Sequence, residues 1–252
     1  MAQWVVLLDD GGVMNDNRLR GPQWQRLVAE FFAPRLGGAS EAWAKANRAV
    51  IKAMLEPSAW QKRLQSAQNF HYFDRTYQLD WLKDMCTLVG VVAPDDDACY
   101  ELARQATALI IPQIRSAFPG AVEAIRTLFR RGYQLYTASS GTSTDLAGYL
   151  DGMGVRDCFQ RLYGPDLINT LKNGSDFYER LFADAGVTPA EALVVDDSPQ
   201  AVEWATRAGA RAVLVGQASA ALDDAVLCIA SLAELPGILQ DIEPYPLDMD
   251  NP

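Results

Sequence analysis

Four polar features of this sequence follow apolar runs or stand just ahead of a helical segment, and their side chains suit chemistry. They are Asp9, Ser139, Lys172 and the pair Asp196 and Asp197. A carboxylate can attack an electrophile or bind a metal ion, and a hydroxyl can hydrogen-bond an anionic oxygen. An ammonium group can stabilise a transferring anion. Residues of these types, held together, would suit the transfer of an anionic group.

Asp9 is the residue that organises the chain. It ends the apolar run Trp4–Leu8 and is followed by Asp10, Gly11 and Gly12. An apolar run without alternation suits a strand buried on both faces of a parallel sheet. Ligands bind beyond the carboxyl ends of such strands, and glycines there let the backbone approach a ligand closely. The alternative is an aspartate that only caps a turn.

The other features also have purely structural interpretations. Ser139 can cap the helix that follows it. Lys172 can be a solvated surface lysine, although a cation just ahead of a helix N-terminus is unfavourable. Asp196 and Asp197 can cap the next helix, but a single aspartate is enough for that role. His71, the only histidine in the sequence, fits packing among its aromatic neighbours better than a metal site.

The composition limits the classes of function. Of the 252 residues, 49% are apolar, which is enough for the core of one large domain or of a domain with an insert. The net charge of −10 argues against binding to nucleic acid or to an anionic membrane surface. It does not exclude an anionic small molecule, because local cations or a metal ion can reverse the field. We expect a monomer or a homodimer.

The sequence contains no signal for export or membrane insertion. The N-terminus has no basic region, and no apolar stretch approaches the roughly 20 residues of a membrane span. The cysteines are scattered among apolar residues, which is typical of buried thiols in a reducing compartment. They are Cys86, Cys99, Cys158 and Cys228. We therefore expect a cytoplasmic protein.

The pattern of apolar residues divides the chain into parts. Residues 1–14 predict a strand and a loop, residues 15–115 predict helices only, and residues 116–242 alternate between strands and helices. Alternation of this kind predicts an α/β fold with a doubly wound, Rossmann-like parallel sheet. The inserted residues would form an all-helical cap over the active edge of that sheet. Residues 243–252 would form an acidic tail.

The individual elements are predicted from periodicity and breakers. The later strands are predicted at Gln134–Ala138, Arg161–Tyr163, Ala192–Val195 and Ala212–Val215, with an edge strand at Val226–Ile229. Within the cap, helices are predicted from near Pro22, from Ser40, as one long amphipathic stretch from Trp60 to Leu82, and from Pro94.

The four features, taken in order, resemble the motifs of the haloacid dehalogenase-like hydrolase superfamily, in the branch with a helical cap after the first strand. The first motif of that family is D-x-D-G, and the sequence from Asp9 reads D-D-G-G. A strand that ends in Ser139, a lysine at position 172 ahead of a helix, and an acidic pair after a later strand match the other three motifs. The resemblance covers nearly the whole chain.

This resemblance implies a Mg²⁺-dependent phosphatase-type hydrolase that acts on a small phosphorylated metabolite through an aspartyl-phosphate at Asp9. It implies a Mg²⁺ ion held by Asp9, the carbonyl of Gly11 and Asp197, with Asp196 acting through water. Lys172 would supply a second cation for the nucleophile and the transferring group.

The resemblance also implies how the substrate is held. Ser139, Ser140 and Lys172 would bind the phosphate oxygens, with help from backbone N–H groups at the start of the next helix. Side chains of the cap would choose the substrate. The candidates are Arg48, Lys52, Arg63, His71 and Arg75.

One departure from the family pattern has chemical consequences. The second acid of the first motif protonates the leaving group in the family, and its position is occupied by Gly11. Loss of a general acid costs ~10²–10⁴-fold in rate, so Asp10, Asp16, a cap side chain or solvent would have to handle the proton. Two alternatives stay open: a phospholigand-binding or regulatory protein with vestigial activity, and a carbon-attacking hydrolase of the dehalogenase type.

Overall fold

The computed structural model describes residues 4–216 and 226–242 of the chain. Within them lies one parallel sheet of six strands, in the order β3-β2-β1-β4-β5-β6. The strands are β1 Val5–Leu8, β2 Gln134–Ala138, β3 Phe159–Tyr163, β4 Ala192–Asp196, β5 Arg211–Val215 and β6 Leu227–Ile229. The predicted doubly wound α/β fold is confirmed, including its edge strand.

The sheet order places the functional residues at one edge. Strands β2 and β3 are added on one side of β1, and β4 to β6 are added on the other. The point between β1 and β4 is therefore the topological switch point, where ligands bind in open α/β sheets. Leu8 is paired with Thr137 on one side and Val195 on the other. Asp9 and Asp196 therefore follow at neighbouring positions along the carboxyl edge.

Eleven α-helices occur in the described residues. Five lie between β1 and β2 in the sequence: α1 Asn17–Leu36, α2 Ser40–Met54, α3 Pro57–Ser66, α4 Phe70–Val89 and α5 Asp96–Ile110. The others are α6 Ala121–Arg130, α7 Ser143–Met153, α8 Pro165–Ile168, α9 Ser175–Ala185, α10 Pro199–Arg207 and α11 Leu235–Ile242.

Hydrophobic packing explains the apolar run of β1. Val6 and Leu8 pack in the cluster that includes α6 and α7, whereas Val5 and Leu7 pack in the cluster that includes α9. Both faces of the strand are covered, as its lack of alternation predicts. Helices α1, α2, α4 and α5 pack around a separate buried cluster, of which Trp43 is a member. The division into core and cap stays a prediction that this packing supports.

The structure corrects two helix predictions. The long stretch from Trp60 to Leu82 is two helices, because Asn69 accepts a hydrogen bond from the backbone N–H of Tyr72 at 3.0 Å and starts α4 afresh. Helix α1 begins at Asn17, well before Pro22, with Asp16 as its N-cap. In the described part of the chain no helix combines the length and apolar character of a membrane span.

Two chain segments connect α1–α5 to the sheet, and they lie side by side. The backbone N–H of Asp16 donates to the Ser116 carbonyl at 2.7 Å, and that of Phe118 donates to the Met14 carbonyl at 3.0 Å. The Ser116 hydroxyl also donates to Asn15 Oδ1 at 2.9 Å. The loop after Asp9 is thus fixed to both connections.

Candidate active site

Lys172 joins the ends of three strands. Its Nζ donates to Asp9 Oδ1 at 2.9 Å, to Asp196 Oδ2 at 2.6 Å and to the carbonyl of Ala138 at 2.7 Å. Asp9 follows β1, Asp196 is the last residue of β4 and Ala138 is the last residue of β2. The lysine side chain is only 5% exposed. The interpretation of Lys172 as a solvated surface lysine is therefore wrong.

Three carboxylates surround this ammonium group. Asp9, Asp196 and Asp197 each offer an oxygen, and these oxygens lie within 4.8 Å of one another. Asp9 and Asp196 are buried, whereas Asp197 is exposed. Three carboxylates and one lysine leave an excess of negative charge, which a divalent cation with a preference for oxygen ligands would balance. We call Asp9, Asp196, Asp197 and Lys172 the carboxylate cluster.

The pKa shifts in the cluster have clear causes. Burial and, to a smaller extent, the charge of Asp9 raise the pKa of Asp196 to about 6, against the attraction of Lys172. Burial alone would lower the pKa of Lys172, but the charges of Asp9 and Asp196 outweigh it and the net shift is upward. Lys172 therefore stays a cation at neutral pH.

Adjacent glycines in the loop after β1 have different functions. Gly12 has a φ of 89°, and a side chain there would overlap the Asp197 carboxylate. Gly12 therefore allows the close approach of Asp197 to the loop. Gly11 lies outside the left-handed region, and a Cβ atom on it would meet the carboxamide of Asn17. Gly11 is thus not required by backbone conformation.

Ser139 and Ser140 follow β2 at the same edge. Ser139 is 5% exposed, and its backbone N–H donates to the Tyr163 carbonyl at 3.2 Å. Ser140 is exposed. The residue that caps α7 is Thr142, which accepts from the backbone N–H of Asp145 at 3.1 Å. The capping interpretation of Ser139 is therefore wrong. Helix α10 is capped by Ser198, so the capping interpretation of Asp196 and Asp197 is also wrong.

The aspartates considered as substitutes for the missing acid are engaged elsewhere. Asp10 is buried; it accepts from Asn15 Nδ2 and from Arg20, each at 2.7 Å. Burial raises the pKa of Asp10, and Arg20 opposes that shift. Asp16 accepts from the backbone and guanidinium of Arg18, and these bonds lower its pKa. Neither carboxyl group is a free proton donor.

A cavity of about 650 Å³ is lined by Asn17 and Arg20 of α1, and Arg20 binds Asp10 in the loop after Asp9. Its walls include four aromatic residues, Trp24, Tyr77, Trp81 and Tyr149, and we call it the aromatic cavity. Such a volume holds a small organic molecule.

Two residues that line the aromatic cavity carry a buried polar atom without a hydrogen-bond partner among the described residues. Arg20 stacks over the Tyr149 ring with its guanidinium carbon 3.9 Å from the ring centroid. Arg20 and Gln78 both line the cavity, and their Nε and Oε1 atoms are buried without a hydrogen-bond partner among the described residues. An unpaired buried donor or acceptor costs about 1–3 kcal/mol.

Only some of the cap residues proposed for substrate choice line this cavity. Arg48 and Lys52 do, both as exposed residues. Arg63 instead pairs with Asp80 at 2.8 Å, and Arg75 pairs with Asp97 at 2.6 Å. His71 is exposed rather than packed, and its backbone N–H donates to Asn169 Oδ1 at 3.3 Å.

Comparison with known protein families finds a match. The model of the haloacid dehalogenase-like hydrolase family matches residues 9–209, which is most of the chain and includes all four features of the sequence. The chain belongs to the haloacid dehalogenase-like hydrolases. The resemblance drawn from the motifs is therefore confirmed at the level of the family.

Individual relatives are distant. The "Putative phosphatase YhcW" of Bacillus subtilis (strain 168) is 29% identical over 99 residues, which are 39% of this chain and 45% of that protein. The match thus spans less than half of that relative. The L-2-haloacid dehalogenase of Xanthobacter autotrophicus has a TM-score of 0.63 at 18% identity, and 96% of this chain covers 100% of that one.

Other solved structures share the same fold. The HAD-hydrolase YfnB of Bacillus subtilis, bound to magnesium, has a TM-score of 0.66 at 15% identity, with 95% of this chain and 99% of that chain covered. The HAD phosphatase of Thermococcus onnurineus has a TM-score of 0.59 at 20% identity, with 94% and 98% covered. Identities this low establish the fold of this haloacid dehalogenase-like hydrolase and not its substrate.

Several residues of the site were missed by the sequence motifs. Asn17, Arg20 and Trp24 lie one turn apart on α1 and line the aromatic cavity together. Their spacing was the available signal, but it acquires meaning only once the helix is known to begin at Asn17. Gln78 and Asp145 reach the cavity from distant elements, and no local pattern identifies them.

Proposed function

We propose that this hydrolase is a Mg²⁺-dependent phosphatase that acts on a small phosphorylated molecule through an aspartyl-phosphate at Asp9. The observation that carries the proposal is the ion pair of Lys172 with Asp9 and Asp196, beside Asp197, at the switch point of the sheet. A phosphate is anionic, so a cluster with excess negative charge needs an added cation before it can accept one.

The carboxylate cluster fits Mg²⁺ by its donor set. Asp9, Asp196 and Asp197 supply carboxylate oxygens within 4.8 Å of one another, and no softer nitrogen or sulfur ligand takes part. The carbonyl of Gly11 would add a further oxygen. When bound, Mg²⁺ would shield the repulsion between the nucleophile and the phosphate.

The residues of the chain would share the remaining work. Lys172 Nζ donates to Asp9 Oδ1 and would orient this carboxylate as the nucleophile. Ser139, Ser140 and the N–H groups at the start of α7 would hydrogen-bond the phosphate oxygens. The aromatic cavity would receive the organic part of the substrate.

Gly11 sets a condition on the substrate. Without a carboxylic acid at this position, a leaving oxygen that needs a proton in the transition state is expelled slowly. The proposed substrates are therefore phosphates with acidic leaving groups, such as aryl or acyl phosphates. The aromatic walls of the cavity support the aryl class.

A panel of aryl, acyl and alkyl phosphates, assayed with and without Mg²⁺, tests this function. We expect Mg²⁺-dependent turnover of aryl and acyl phosphates, and its loss in Asp9→Asn. Asp151→Asn, an amide replacement at an exposed position of α7, is the matched control and should keep full activity. Metal-independent release of halide from 2-haloacids would instead support the carbon-attacking alternative. Binding of phosphate esters without turnover would support the phospholigand-binding one.

A further inference from the structure

An amide side chain lies where the side chain of the family's second acid would project. A Cβ atom on Gly11 would lie 2.9 Å from Asn17 Nδ2 and 3.0 Å from Asn17 Oδ1. We propose that Asn17 acts in place of the missing acid, as a hydrogen-bonding group for the leaving oxygen and for the attacking water. This inference rests on the proposed phosphatase function and adds a catalytic residue to it.

The position of Asn17 suits this role. It is the first residue of α1, it is exposed, and it lines the aromatic cavity. Its side chain therefore stands between the loop after Asp9 and the space proposed for the leaving group. The neighbouring Asp16 already caps α1 through the backbone N–H of Arg18 at 2.8 Å, so the Asn17 carboxamide is not needed for that purpose.

The carboxyl groups in the same loop do not compete with Asn17. Both oxygens of Asp10 accept hydrogen bonds, from Asn15 and from Arg20. Asp16 is held by Arg18. Asn17 is left with its carboxamide beside the position of the missing acid.

The first chemical step then proceeds without proton donation by the protein. An Asp9 oxygen forms a bond to phosphorus while the bond from phosphorus to the leaving oxygen breaks, and the electron pair stays on that oxygen. Asn17 Nδ2–H donates a hydrogen bond to the developing anion. An amide does not transfer its proton, so the released anion takes a proton from solvent.

The second step uses the other end of the carboxamide. Water adds to the phosphorus of the aspartyl-phosphate, and the electron pair of the phosphorus–Asp9 bond returns to the Asp9 carboxylate. The proton lost by the water passes to solvent. Asn17 Oδ1 accepts a hydrogen bond from this water and orients it. The products are inorganic phosphate and the original carboxylate.

The experiment compares leaving groups of graded acidity. Turnover of substituted phenyl phosphates and of one alkyl phosphate is measured for the wild type, Asn17→Ala and Asn17→Asp. Loss of one hydrogen-bond donor to a developing oxyanion costs ~10²-fold in kcat, and Asn17→Ala should lose most on the least acidic leaving groups. Asn17→Asp should raise alkyl phosphate turnover, with activity that falls as pH rises through the pKa of the new carboxyl group.

Controls separate this inference from a structural role. Gln65→Glu makes the same amide-to-acid change at an exposed position of α3 and should leave turnover unchanged. Gly11→Asp combined with Asn17→Ala places a carboxyl group on the loop itself, with the obstructing amide removed. It should reproduce the gain of Asn17→Asp, and it replaces that variant if Asn17→Asp fails to fold.

The outcomes distinguish failure of this inference from failure of the proposed function. If turnover requires Asp9 but Asn17→Ala keeps the wild-type dependence on leaving group, the inference is overturned and the phosphatase function stands. Folded carboxyl variants that give no gain on alkyl phosphate also overturn it. If the wild type turns over no phosphate ester, the proposed function fails and this inference fails with it.

Discussion

The carboxylate cluster and the aromatic cavity are neighbours with opposite character. In the cluster, the buried cation Lys172 is paired twice, and both of its carboxylate partners are buried. Around the cavity, Arg20 Nε and Gln78 Oε1 are buried and have no hydrogen-bond partner among the described residues. The cluster is therefore held together by its own ion pairs, whereas the polar groups around the cavity are less completely paired.

This difference suggests a division of labour. Changes in the cluster should affect all substrates alike, because the cluster acts on the phosphoryl group, which all the substrates share. Changes in the cavity should affect substrates selectively, because they alter contacts with the leaving group. Asn17 lies at the boundary between them, so its substitution should combine both kinds of effect.

The largest effect is expected for Lys172→Met. Removal of the lysine leaves Asp9 and Asp196 as buried, unpaired charges, which costs about 3–5 kcal/mol in the free energy of unfolding. Mg²⁺ should restore part of that stability, since it would shield the same carboxylates. Urea denaturation with and without Mg²⁺ measures both effects, and turnover should fall by the same factor for every leaving group. Lys62→Met, at an exposed position of α3, is the control; equal stability of the two variants would contradict the account.

The adjacent glycines should respond differently to alanine. Gly12→Ala places a Cβ atom at positive φ and against Asp197, so we expect a loss of about 1–3 kcal/mol and weaker Mg²⁺ binding. Gly11→Ala meets only the flexible end of Asn17 and should cost less. Thermal unfolding and titration calorimetry measure the two quantities. Equal losses in both variants would show that Gly12 does not position Asp197.

Gln78→Leu should separate affinity from stability in the aromatic cavity. Removal of the unpaired Oε1 should leave the free energy of unfolding unchanged or raise it by about 1 kcal/mol. The KM should rise about tenfold for aryl phosphates whose leaving group can hydrogen-bond the Gln78 carboxamide that lines the cavity, and stay constant for phenyl phosphate. Gln65→Leu controls for loss of a surface amide. A KM that rises equally for both substrates would contradict selective recognition.

A pH-dependent effect is expected from Asp145, which lines the aromatic cavity. Burial raises its pKa to about 6. An acid with a raised pKa stabilises the fold below its unfolded pKa, and that stability is lost as pH rises through the folded value. Asp145→Asn does not ionise, so it should gain about 1–2 kcal/mol on the wild type between pH 4 and pH 7.5. Denaturation at the two pH values measures this gain; an equal difference at both would refute the buried ionisation.

The sequence predicted the sheet and the carboxylate cluster because the relevant signals are local. Asp9, Ser139 and Asp196 each follow or end an apolar strand, and a parallel sheet brings those ends to one edge. Lys172 carries no such signal, and its position depended on the family resemblance. The proline at position 22 favoured a helix start there, and the true start of α1 at Asn17 was not recognised.

The aromatic cavity was not predictable from local pattern. Its walls come from α1, α2, α4, α5 and α7, and their side chains converge only when the helices pack. Arg48 and Lys52 were identified by their charge alone, while Arg63 and Arg75 have the same charge and serve surface ion pairs instead. Charge in a helical segment does not indicate which way the side chain faces.

The central claim is that Asp9 forms a covalent phosphoryl intermediate. It is tested most directly by rapid acid quench of the enzyme with an aryl phosphate and Mg²⁺, followed by mass spectrometry of the intact protein and of its peptides. We predict the added mass of one phosphoryl group on the peptide that contains Asp9, and its absence in Asp9→Asn. Turnover with no phosphorylated enzyme at any quench time, or a phosphoryl group on another residue, would contradict the account.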